Sequence, residues 1–198
     1  PLTIEGKKTA AIEIFNQLGE IPDFIFVPAG DGVILAGVYK GFLDLKKFGI
    51  IDSIPKIYAV QSAGSCAICR ALENGNFGEP IKSHTIADSI SVDIPRNGYF
   101  AIRLLRENNG RCITVSDEEI LNAQKLLSST TGLFAEPAGA ASFAGFLSVK
   151  EKIPSDAKIV LLVTGSGLKD IDSASKIMKF PDYAVKSLDN MEHSKLWR

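Results

Sequence analysis

Two glycine-bearing segments carry the residue types that hold an anion against the main chain. The first, Pro28-Ala29-Gly30-Asp31-Gly32-Val33-Ile34-Leu35-Ala36-Gly37, follows a short apolar run and leads into a helical pattern. Backbone amides at a helix N-terminus attract anions, and glycine lets a phosphate approach the main chain closely. The spacing is not G-x-G-x-x-G, because Leu35 stands at the third glycine position, and not a Walker loop, because Val38 follows Gly37 where lysine is required. Two readings remain for these residues: a cradle for a small phosphate, or a tight strand-to-helix turn with Asp31 as the helix cap. The second segment, Thr164-Gly165-Ser166-Gly167-Leu168-Lys169-Asp170, follows another apolar run. In a parallel sheet both would emerge at the carboxyl edge, where open α/β folds bind ligands.

The three cysteines, Cys66, Cys69 and Cys112, are too few and odd in number for a disulfide framework. Cys66-Ala67-Ile68-Cys69 spells C-x-x-C. A redox role would need it at a helix N-terminus with a lowered thiol pKa, and a zinc site would need a second ligand pair. The chain offers no second pair, and His84 and His193 are isolated. The expectation is reduced thiols and no metal.

The elements that must position these loops alternate between strand and helix. Phe24 to Val27, Ile57 to Val60 and Ile159 to Val163 are continuous apolar runs, the pattern of parallel strands buried on both faces. Lys8 to Leu18 and Val33 to Phe48 repeat apolar residues at helical spacing, and Gly49 ends the second. Ser116 and Glu119 form a capping box before a helix carrying Ile120, Ala123, Leu126 and Leu127. Pro137 suits the first turn of a helix rich in small residues, Ala138 to Ala144. Gly75 to Asn97 reads as a long irregular loop at an active site.

The whole predicts one α/β domain over residues 1–198: a three-layer α/β/α unit with a mostly parallel sheet. With 22 basic and 23 acidic residues and 45% hydrophobic content, the composition is that of a folded globular chain. It gives no electrostatic reason to bind nucleic acid or an anionic membrane. No apolar run reaches the length of a spanning helix, and the start lacks the pattern of a secretion signal.

Taken in order, the segments resemble the fold type II (tryptophan synthase β-like) pyridoxal-phosphate enzymes, and among them the threonine synthase branch. The resemblance rests on Glu5-Gly6-Lys7-Lys8-Thr9, Pro28-Ala29-Gly30-Asp31-Gly32, Leu35-Ala36-Gly37-Val38-Tyr39-Lys40-Gly41-Phe42 and Val60-Gln61-Ser62-Ala63-Gly64. It continues through Ala87-Asp88-Ser89-Ile90, Val115-Ser116-Asp117-Glu118-Glu119-Ile120, Glu136-Pro137-Ala138-Gly139-Ala140-Ala141 and the Thr164 to Asp170 loop. It implies that the chain is the larger part of a fold type II cofactor domain. It further implies that Gly30, Asp31, Gly32, Val33 and Ile34 hold the 5′-phosphate of pyridoxal 5′-phosphate, and that Thr164 faces the pyridine nitrogen. Asp88, Ser89 and Arg96 fall where the group places substrate-facing loops. A neutral hydroxyl at the ring nitrogen makes a weaker electron sink than a carboxylate would.

Threonine synthases commonly read Gly-Asn-x-Gly-Asn in the phosphate loop, whereas Asp31, Val33 and Ile34 stand here. A carboxylate beside a dianionic phosphate is repulsive unless Asp31 turns away to cap the helix starting near Val33. The group's Schiff-base lysine lies upstream of everything that matches. The expectation is therefore a C-terminal portion with no catalytic lysine of its own, inactive by itself; Lys169 reads as a solvated charge. The implied whole is a cytoplasmic homodimeric lyase that turns O-phosphohomoserine into threonine and phosphate. The alternatives are a serine/threonine dehydratase or ammonia-lyase, and a non-catalytic chain that binds a phosphorylated ligand. Ala87-Asp88-Ser89-Ile90-Ser91-Val92 also looks like the dehydratase pattern.

Overall fold

The apolar runs become parallel strands. A computed structural model describes residues 2–178 of the chain. Phe24–Pro28 forms β1, Lys56–Ser62 β2, Arg111–Val115 β3 and Ile159–Leu161 β4, in the spatial order β3-β2-β1-β4 with every neighbouring pair parallel. β1 is buried throughout and β2 everywhere but Lys56, as a strand covered on both faces requires. On one face lie α1 (Leu2–Lys7), α2 (Thr9–Leu18), α3 (Val33–Lys47), α4 (Ala67–Asn74) and α5 (Gly98–Glu107); on the other lie α6 (Asp117–Thr131) and α7 (Pro137–Val149). A short α8 (Ile171–Ser175) follows β4.

Strand alternation sorts the core into two layers. Ile25, Val27, Ile57 and Ala59 pack with Leu35, Tyr39, Phe42 and Leu105, while Phe26, Tyr58 and Val60 pack with Ile120, Ala140 and Ala144. The small residues of α7 bring it close to β2: a side chain at Gly145 would collide with Val60. Both arms of the capping box are present. The Glu119 amide donates to Ser116 Oγ at 3.2 Å, and the Ser116 amide donates to Glu119 Oε2 at 2.7 Å. Pro137 occupies the first turn of α7. The stretch from Gly75 to Asn97 is irregular apart from a single turn at Asp88–Ile90.

The cysteines overturn the expectation of reduced thiols. Cys69 on α4 and Cys112 on β3 are joined in a disulfide, their Cα atoms 5.1 Å apart, and Cys66 is left free. α4 packs on β3 and brings together two residues 43 positions apart, a proximity that spacing in the sequence does not encode. On the chain-entropy model a closure of that length constrains the unfolded chain by about 4 kcal/mol. Reduction is expected to lower the unfolding free energy by about 2–4 kcal/mol, read as a lower urea midpoint with dithiothreitol than without; coincident curves would show that the bridge adds no stability.

A charge network ties α1 and the start of α2 to α3. Lys8 Nζ lies 2.8 Å from both Asp44 and Glu5, and Lys40 Nζ lies 3.1 Å from Glu5 and 3.4 Å from Asp44. The hydrogen bond from Lys8 holds the Asp44 carboxyl below the usual carboxylate range. A carboxyl depressed in the folded state stabilises above its unfolded pKa of about 4, and the contribution is lost as pH falls through the lower folded value. Acid unfolding of Asp44→Asn is therefore expected to depend less steeply on pH below about 4 than that of the parent chain. An unchanged dependence would assign acid sensitivity elsewhere.

Candidate functional site

The chain leaves β1 towards β2 on one side, while β4 is laid down on the other side of β1. This reversal of strand order makes a switch point at the carboxyl ends of β1 and β4, where open α/β sheets form their ligand crevice. Both glycine segments emerge there, and the Leu162 amide, donating to the Phe26 carbonyl at 3.0 Å, extends the ladder towards Thr164.

The first loop has the construction of an anion cradle. Among the described residues, the amides of Gly30, Asp31, Gly32 and Ile34 meet no protein acceptor. Gly32, not Asp31, is the N-cap residue of α3; one position earlier, Asp31 Oδ1 accepts from the Val33 amide at 2.9 Å, so that amide is already paired and the carboxylate has a fixed place. Gly32 has φ +87°, and a Cβ there would stand 2.8 Å from that of Ala101, so conformation and space both demand glycine. Asn97 pins the loop from the far side, its amide donating to the Asp31 carbonyl at 3.1 Å and its Nδ2 to the Gly32 carbonyl at 3.0 Å. Above the loop, Ile90 sits so near that a Cβ on Gly30 would be 3.0 Å from its Cα.

The second loop is braced from α7. The Glu136 amide donates to the Gly165 carbonyl at 2.9 Å and the Gly167 amide to the Phe134 carbonyl at 2.8 Å. The Glu136 side chain is 9% exposed and fills the space a Cβ on Gly165 would need. It accepts from Lys169 Nζ at 2.8 Å and from Ser89 Oγ at 3.3 Å. Lys169, read from the sequence as a solvated charge, is 61% exposed but paired. Ser89, Asp88, Glu136 and Lys169 line a shared cleft of about 220 Å³. Thr164 is exposed at the end of β4, and Gly139 in the first turn of α7 lies against its amide. Arg96 is apart from this cleft. It is exposed, held by no ion pair among the described residues, and adjacent in sequence to Asn97, which bonds the loop after β1.

The irregular stretch between Gly75 and Asn97 is held by the buried Ser65 and the half-buried Asp117. Ser65 Oγ donates to the Ile90 carbonyl at 3.2 Å and accepts from the Val92 amide at 2.9 Å. The Asp117 carboxylate accepts from Ser62 Oγ, Thr85 Oγ1 and the Ile86 amide. These ties keep Ser89 and Ile90 over the two loops without regular secondary structure.

The family model described as "Pyridoxal-phosphate dependent enzyme" matches residues 1–165. The chain belongs to the pyridoxal-phosphate dependent enzyme family. It is 40% identical over 176 residues to a threonine synthase of Synechocystis sp., covering 88% of this chain and 44% of that protein. It is 38% identical over 182 residues to one of Mycobacterium tuberculosis, covering 90% and 48%. The chain thus spans about half the length of the curated relatives it matches. Among solved structures it is similar to the processed form of threonine deaminase isoform 2 from Solanum lycopersicum, with a TM-score of 0.72 and 25% identity over 87% of this chain and 48% of that one. Maize serine racemase matches with a TM-score of 0.68 and 28% identity, over 82% and 48%. Both the parallel sheet and its helical layers are those of fold type II.

Pyridoxal phosphate fits the residues present in this family member. The unpaired amides of Gly30, Asp31, Gly32 and Ile34 suit its phosphate, and the Thr164 hydroxyl, beyond the end of β4 and without a partner among the described residues, is available to its ring. Sequence reading did not single out Gln61, Asn97, Glu136, Ser65 or Asp117 as site residues. Gln61, Asp117 and Glu136 stand inside the motifs that carry the resemblance, but nothing in their spacing shows that a side chain braces a loop. Glu136→Ala would leave Ser89 and Lys169 without their acceptor and open space beside Gly165, at an expected cost of about 1–3 kcal/mol. Lys169→Ala, which removes a largely solvated partner, should cost less than about 1 kcal/mol. Equal losses in urea unfolding would show that the ion pair, not the buried carboxylate, braces the loop.

Proposed function

We propose that this chain is the phosphate- and ring-binding portion of a threonine synthase-like lyase, which converts O-phosphohomoserine and water into threonine and phosphate. The observation that carries the reading is the juxtaposition, at one switch point, of an amide-lined phosphate loop with the Thr164 loop. The threonine synthases matched over nearly the whole chain support the same substrate.

Gly30, Asp31, Gly32 and Ile34 hold the cofactor phosphate through main-chain amides, while Val33 and the Asp31 carboxylate fix the loop's shape. When bound, pyridoxal phosphate supplies an electron sink for negative charge developing on the amino-acid carbons. Thr164 presents a neutral hydroxyl to the ring nitrogen and leaves that sink weak. Arg96 offers a cation to the leaving phosphate, a pairing that strengthens as charge builds on the departing oxygen. Ser89 and Asp88 face the substrate, with Ser89 oriented by Glu136. The lysine that carries the cofactor is contributed by sequence upstream of the matched region, and the active form is a cytoplasmic homodimer.

A second reading, dehydration of serine or threonine with loss of ammonia, is favoured by the likeness to threonine deaminase and serine racemase. The chain extended upstream through its cofactor-bearing lysine decides between them. Phosphate and threonine from O-phosphohomoserine are the expected products, with Arg96→Ala raising KM for that substrate about tenfold or more, the loss of one charge-assisted contact. Ammonia and a 2-oxo acid from serine, with no phosphate released from O-phosphohomoserine, would establish the dehydratase instead.

A further inference from the structure

The C-x-x-C motif has no part in the proposed chemistry, yet its surroundings are wired to the phosphate loop. Cys66 is the N-cap residue of α4, the helix N-terminus that a redox C-x-x-C needs. It is half-exposed and free, its thiol lying 3.4 Å from the Ala63 carbonyl. Cys69, one turn further on and 2% exposed, carries the bridge to half-exposed Cys112. The Cys69 amide donates to Gln61 Oε1 at 3.0 Å. Gln61 is 1% exposed, and its Nε2 donates in turn to the Ala29 carbonyl at 2.9 Å and the Gly30 carbonyl at 3.4 Å. One buried amide therefore joins a disulfide-bonded residue to the first residues of the phosphate loop.

We propose that Cys66, Cys69 and Cys112 form a thiol–disulfide exchange site whose redox state sets the order of the phosphate loop. In the intramolecular step the Cys66 thiolate attacks the Cys69 sulfur. A Cys66–Cys69 bond forms, the Cys69–Cys112 bond breaks, and Cys112 leaves as a thiolate that takes up the proton Cys66 gave up. No oxidant is consumed. A dithiol reductant opens the bridge by the same chemistry. It supplies two electrons and two protons, closes to its own disulfide, and leaves Cys69 and Cys112 as thiols. With the bridge intact, α4 is fastened to β3 and Gln61 has a fixed acceptor-side partner. With the bridge open, α4 loses its covalent tie to β3 and keeps its packing and the Cys69–Gln61 hydrogen bond, so the Gln61 amide and the Ala29–Gly30 carbonyls it bonds are less constrained.

Hydrogen exchange on the whole chain tests this without any cofactor, so its failure and the failure of the proposed function are separate results. Exchange is compared between the chain as prepared and the chain treated with dithiothreitol. Reduction is expected to speed exchange about tenfold or more in residues 29–36 and 61–74 while α6 and α7 keep their protection, the mark of a local opening. Unchanged protection in residues 29–36, or an equal rise across α6 and α7, would overturn the coupling. The exchange arm is read in Cys112→Ser treated with oxidised glutathione, followed by alkylation and peptide mapping. A Cys66–Cys69 disulfide is expected; glutathione retained on either residue, or two alkylated thiols, would overturn it. Circular dichroism of that variant, compared with the dithiothreitol-reduced parent, confirms that the chain being read is folded.

Discussion

The parallel pairing of β1 with β2 on one side and β4 on the other governs where this molecule can bind anything. Parallel strands send their connections out at one edge, so the loops after β1 and β4 become neighbours although some 130 residues of chain lie between them. Because β2 and β4 flank β1 on opposite sides, the loops after β1 and β4 leave from neighbouring strands while their chains run on to different parts of the fold. Everything around the crevice serves to stiffen that meeting point. Asn97 and Gln61 grip the first loop by its carbonyls, and Glu136 grips the second by packing and by its amide. Ser65 and Asp117 suspend an irregular stretch above both. The braces are polar because loops carry backbone groups that must be paired wherever they are buried.

What could be read from the sequence was whatever depends on local pattern. The runs at Phe24 and Ile57 declare themselves because both faces of those strands are covered. The capping box at Ser116 and the proline opening α7 depend on residues within a few positions of one another. β3 escaped because it is an edge strand: Arg111 and Thr114 face solvent, which breaks the apolar run and leaves no clear alternation. α4 and α5 flank an irregular stretch whose prolines and glycines dominate the local signal. The disulfide escaped for a different reason. Which cysteines meet depends on α4 lying across β3, a property of the packed domain.

The same division runs through the site. Candidate ligand loops were visible as glycine-bearing turns after buried strands, and Asp88 and Ser89 through a motif. Their second layer was not, since Gln61 is an ordinary polar residue on a buried strand until the carbonyls of Ala29 and Gly30 come within its reach. β4 shows the limit from another side. Its residues are apolar yet only half-buried, because among the described residues the sheet ends there; the sequence pattern records what the strand is suited to pack against, and the structure records what it does pack against.

The proposed phosphate loop stores its binding capacity in backbone direction, and this bears on how such a site can diverge. Amide groups are common to every non-proline residue, so the side chains at 33 and 34 can change while the donors stay in place, whereas the Asp31 carboxylate is tied to the Val33 amide. Gly32 is held to one residue type by its dihedral angle and by Ala101, and Gly30 is crowded by the Ile90 backbone. A loop of this kind carries little information in its letters and much in its shape. Descendants of one ancestor could rewrite almost all of it and still hold the same dianion, so their common function would be traced more readily in φ and ψ than in any alignment of side chains.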